Sequence, residues 1–116
     1  MRSQDAYLKD ILERIHRLEI ITLEGKEAFQ DSFILQDATI RNLEIIGEAV
    51  KQLSPSLTAA RPEVAWKSIA GFRDVLVHNY SRINLEIVWL ASTVQLQSLK
   101  VAVEVLLAQL NSTAED

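Results

Sequence analysis

The chain has no cysteine, three glycines, two prolines and only two histidines in 116 residues. Without cysteine there is no disulfide framework, no zinc–thiolate site and no thiol nucleophile. So few helix breakers argue against a turn-rich β fold and for long helices. Two histidines and no cysteine make a transition-metal site a poor expectation, and no cofactor is expected. No run of eighteen apolar residues is present, so no membrane-spanning helix and no membrane partner are expected. The opening "MRSQDAYLKDILERIHRLE" carries acids and lacks the continuous apolar core of a signal peptide. These features fit a cytoplasmic location.

What is present fits one small domain over residues 1–116. Hydrophobic residues make up 48% and charged residues 24%, ordinary values for a folded soluble chain. Net charge is −4, which argues against a protein that coats nucleic acid in bulk. The charge is uneven. Residues 41–82 hold six Lys and Arg against four acids, whereas the remainder holds six against twelve.

Apolar spacing predicts four main helices. Leu8, Ile11, Leu12, Ile15 and Leu18 place the first at about 4–22, ended near Gly25. A second runs from near Glu27 to Leu53, where "SPS" ends it. Pro62 suits the first turn of a third helix covering much of 62–80, with a break near Gly71. Asn84 is the expected N-cap of a fourth, running to about Leu110. On that fourth helix Glu86, Thr93, Gln97, Lys100 and Glu104 form one narrow polar stripe, and most of the rest is apolar. A helix so apolar around its girth is buried on several sides, and in so small a domain part of it should meet a second subunit. The expected architecture is an all-α, up-and-down helical bundle, homodimeric through its apolar helices.

Most candidate sites are weak. "E-R-I-H" at 13–16 has the spacing of half a di-iron motif, but its partners are lacking, so it reads as a solvated helix face. Glu44 and Glu48 are like charges at i, i+4, with Arg41 placed to offset Glu44. The exception is "GFRDVLVHNYS" at 71–81. On one ideal helix His78 lies about 140° from Arg73, whereas Tyr80 shares the Arg73 face. Arg73 has apolar neighbours and needs an acceptor, because its charge cannot be buried unpaired. Asp74 stands i, i+4 to His78 and could hold its ring. Two readings follow: a core Arg–acid pair with an unrelated histidine, or a site whose halves meet across two copies of the helix.

"R-x4-H-x-Y", written here as Arg73-Asp-Val-Leu-Val-His78-Asn-Tyr80, resembles the signature of HepT-like HEPN-domain toxins of the HepT/MntA toxin–antitoxin family. "DATIRNLEIIGEAVKQL" at 37–53 looks like that family's second helix, and "PEVAWKSIAGFRDVLVHNYSRINLEIVW" at 62–89 like its motif helix and the start of the next. The likeness covers roughly residues 5–110. It implies a HEPN-like bundle and the toxin of a type VII-like toxin–antitoxin pair, acting as a metal-independent endoribonuclease on RNA such as tRNA or mRNA. It also implies a homodimer with a composite site at its interface. The implied partner is a cognate MntA-like nucleotidyltransferase antitoxin, which neutralises the toxin by AMPylation of the motif tyrosine, Tyr80 by position.

On that reading Arg73 clamps phosphate and His78 moves a proton. Arginine offers an always-charged planar fork, and histidine titrates near neutrality. Asp74, Asn79 and Glu48 are candidate supporting residues. Tyrosine, with an ordinary pKa of about 10, suits regulation better than base catalysis. The alternative is a non-enzymatic dimeric helical module that binds nucleotide or serves as adaptor for the nucleotidyltransferase.

Overall fold

The computed structural model describes residues 2–115, with side chains for all of these but 80 and 113–115. The described residues form an all-α bundle with no strand among them. Helix α1 (Gln4–Thr22) is followed by the short α2 (Lys26–Asp31) and by α3 (Phe33–Lys51). A five-residue helix α4 (Pro55–Ala59) leads to α5 (Trp66–His78), a 3-10 turn at Tyr80–Arg82, α6 (Leu85–Thr93) and α7 (Leu96–Glu115).

Spacing dictates the core. On α1, Leu8, Ile11, Ile15 and Leu18 recur at steps of three and four, and all four are fully or almost fully buried. They face Ile40, Leu43, Ile46 and Val50 of α3, and Leu99, Val103 and Leu106 of α7. Helix α3 is central, packing on α1 on one side and on α5 on the other. Trp89 meets Phe29 with ring centroids 5.3 Å apart, and Trp66 donates its indole N–H to the Arg61 carbonyl at 2.9 Å. Both tryptophans therefore pack inside the bundle.

Local chemistry moves several boundaries from their expected places. The long second helix is interrupted at Ser32, whose extended backbone lets its hydroxyl accept from the Leu35 N–H at 3.2 Å. A serine N-cap outcompetes helix continuation there. Gly25 does break the chain after α1, with φ at 92°. Pro62 does not open the third helix. Pro55 takes the first-turn role in α4, and α5 begins only at Trp66. Gly71 leaves α5 unbroken.

Asn84 caps α6 as expected, accepting from Glu86 N–H at 2.9 Å and Ile87 N–H at 3.3 Å. Helices α6 and α7 follow one another through a bulge at Val94–Gln95, where both N–H groups bond the Leu90 carbonyl. By length and composition the stretch Leu85–Ser112 could cross a membrane, but 44% of its most apolar window is buried inside the bundle. Two residues of its polar stripe reach other helices: Lys100 pairs with Glu19 on α1 at 2.8 Å, and Glu86 with Lys26 on α2 at 2.8 Å. On another side Ile87, Leu90, Val94 and Val101 stay 52%, 40%, 67% and 55% exposed. Their steps of three, four and seven make one apolar seam with no partner among the described residues.

Candidate functional site: an arginine held over helix α3

Arg73 lies in the middle of α5, facing α3. Its close approach depends on Gly47. A Cβ at that position would collide with the Arg73 Cβ, and would stand 3.2 Å from its Cγ and 3.3 Å from the Ile69 carbonyl oxygen. A glycine inside a helix costs about 1 kcal/mol relative to alanine, so its presence in "EIIGEAV" needs a packing reason, and Arg73 supplies it.

The Arg73 side chain is 30% exposed, and its guanidinium is fixed by two carboxylates. Its Nε lies 3.2 Å from Glu48 on α3, and one terminal nitrogen donates to Asp74 at 3.1 Å. Lys51 completes the group, donating to the same Asp74 oxygen at 2.6 Å. The Lys51 ammonium, and after it Arg73, hold the Asp74 carboxyl below its ordinary range by stabilising the anion. The expected acceptor for Arg73 is therefore a pair, one from its own helix and one from α3.

His78 is the last residue of α5 and is exposed. Asp74 does not hold its ring. The carboxylate that i, i+4 spacing aims at His78 is occupied by Lys51 and Arg73, and no hydrogen bond among the described residues reaches the imidazole. Four helical residues stand between Arg73 and His78, so the 140° divergence stands in the fold and the two do not converge within one chain. Asn79 leaves the helix at φ −122° and ψ 33°, still donating its N–H to the Val75 carbonyl at 3.0 Å. The chain then enters the 3-10 turn, where an ideal α-helical angle no longer applies. The Tyr80 side chain lies outside the described residues.

Arg73 also closes one end of a groove of about 490 Å³. Its floor is the Arg41, Glu44 and Glu48 stripe of α3, and its far wall is Arg2, Tyr7 and Asp10. Sequence reasoning missed Gly47, Lys51 and this far wall. Gly47 was detectable as a glycine inside a helical pattern. Lys51 and the wall come together only through the packing of separate helices. Among the described residues no three His, Cys, Asp or Glu side chains cluster as metal ligands. The "E-R-I-H" residues go to different partners, Glu13 to Arg17 at 2.7 Å and His16 to Glu19 at 3.1 Å.

Fold and site together define an all-α bundle with an Arg-x4-His helix packed on a central helix. The model of one family, the HepT-like ribonucleases, matches residues 11–106. A candidate RNase of Methanocaldococcus jannaschii is 44% identical over 88 residues, spanning 72% of this chain and 70% of its own. The probable ribonuclease HepT of Thermococcus cleftensis is 37% identical over 102 residues, spanning 85% and 91%. A candidate RNase of Caldanaerobacter subterraneus is 40% identical over 93 residues, spanning 77% and 80%. No solved structure matches the chain. The chain belongs to the HepT-like ribonuclease family.

Proposed function

We propose that the protein is an endoribonuclease that cuts RNA without a metal, through Arg73 and His78 brought together across a homodimer. The observation that carries this is the pairing of a fixed arginine with an unheld, exposed histidine on one helix, in a fold that also leaves an apolar seam of α6 and α7 unpartnered among the described residues. Two copies meeting along Ile87, Leu90 and Val94 would bury that seam.

The substrate supplies the nucleophile. A base takes the proton of the ribose 2′-OH, the oxygen attacks the adjacent phosphorus, and the bond to the 5′ oxygen breaks. A proton returns to that oxygen, leaving a 2′,3′-cyclic phosphate and a 5′-OH. His78 moves one of these protons. Arg73 keeps N–H groups free beyond its two carboxylate bonds and stabilises the charge growing on the phosphorane oxygens. Glu48, Asp74 and Lys51 position Arg73, and Asn79 ends the helix so that His78 faces solvent.

In the cell this activity makes the protein a toxin, in the cytoplasm, with a nucleotidyltransferase as its antitoxin. Transfer of AMP to Tyr80 would place a bulky phosphodiester anion two residues from His78, opposing an RNA phosphate by charge and by volume. Expression with and without a cognate nucleotidyltransferase, followed by intact mass, tests this. Growth arrest relieved by the partner, with AMP mass added at Tyr80, is expected. Arrest by the His78→Ala variant as strong as by wild type would refute the nuclease reading.

A further inference from the structure

The chemistry above uses only the Arg73 end of the groove over α3. The remainder has a composition of its own. The groove's volume of about 490 Å³ lies in the range of small-ligand sites. Beyond Arg73, both arginines lining this remainder are paired with acids: Arg2 with Asp10, and Arg41 with Glu44 at 3.3 Å. Its charges therefore cancel, so it is not built to collect phosphates, which requires cations free to release counterions. It offers fixed donors and acceptors in alternation instead. The Arg2 guanidinium lies over the Tyr7 ring at 5.0 Å from the centroid, giving a flat cationic platform at the wall.

A flat face with mixed donors and acceptors along its edge is what a nucleobase presents. Guanidinium planes and aromatic rings stack on bases, and Arg forks and carboxylates bond their edges. A phosphate uses arginine forks but neither the aromatic ring nor the carboxylates. We propose that this groove is a base-reading subsite, resting on the ribonuclease reading, that takes the base beside the phosphate held at Arg73. The base stacks on the Arg2–Tyr7 platform while Arg41 and Glu44 bond its edge. The subsite would confine cleavage to chosen positions in RNA, in keeping with a net charge of −4 that disfavours indiscriminate binding.

The test uses full-length protein and 2′-O-methyl oligonucleotides of the four homopolymer sequences, which lack the 2′-OH and cannot be cut. Wild type should favour one base about tenfold or more over the poorest. Arg2→Gln and Arg41→Gln, both at exposed positions, should weaken binding of that oligomer about five- to a hundredfold and level the four affinities. Equal binding of all four by wild type, no binding at all, or variants that bind and discriminate as wild type does would each overturn the subsite. If wild type discriminates among these oligomers yet cuts no unmodified RNA, the subsite stands and the nuclease reading fails.

Discussion

Helices α1 and α5 flank the same central helix and use their apolar residues in opposite ways. Helix α1 sends Leu8, Ile11, Ile15 and Leu18 into the core with almost no exposure. Helix α5 buries only Trp66 and Leu76, and leaves Val75 and Val77 in solvent. The first holds the bundle together. The second buries two side chains, packs Ile69, Ala70 and Phe72 only partly buried against the core, and is further fixed to α3 by ions and by the contact at Gly47. Chemistry that meets a second copy and admits a polymer, as proposed above, needs such a helix, because one buried on all sides could do neither.

The sharpest break of this comparison is His78→Ala. Cleavage should fall about 10²- to 10⁴-fold, as for loss of a general acid or base, with no change in melting temperature since the side chain touches solvent. Leu18→Ala on α1 should do the reverse. It should cost about 2–5 kcal/mol in denaturant melts, with the activity of the surviving folded fraction kept. Gly47→Ala joins the two regions. The added methyl must displace Arg73, so a loss of about 1–3 kcal/mol should come with a fall in kcat, and a variant as stable and active as wild type would remove Gly47 from the account.

The smallest effect is in acid. Lys51 and Arg73 depress the Asp74 carboxyl, and Lys100 chiefly depresses that of Glu19. A carboxylate with a folded pKa below its unfolded one stabilises the fold above the unfolded value, and this is lost as pH falls through the folded one. Melting temperature should therefore be level near neutrality and decline below about pH 4. Asp74→Asn should flatten part of that decline, leaving the part due to Glu19.

These two regions also differ in how far they were legible in the sequence. The α1 core was, because its residues repeat at helical spacing and little competes with it. The break at Ser32 was not, since a side-chain cap against a continuing apolar pattern is decided by one hydrogen bond. Nor was the bulge at Val94–Gln95, which leaves composition unchanged. In the site, the Arg73 and His78 spacing and their divergence could be read from one helix. The partner of Asp74 could not. The i, i+4 rule points it at His78, but Lys51 arrives from α3, twenty-three residues earlier in the chain, and takes the carboxylate. Ion pairs between helices depend on register, and register is a property of the packed fold.

The central claim is that Arg73 of one copy works with His78 of another. Mixing Arg73→Ala protein with His78→Ala protein tests it most directly, after subunit exchange and with RNA cleavage as the readout. Each variant alone should be inactive. Mixed dimers carry one intact Arg73 and one intact His78 on different chains, so activity should return. A mixture that exchanges subunits and stays inactive would contradict a site shared between two chains.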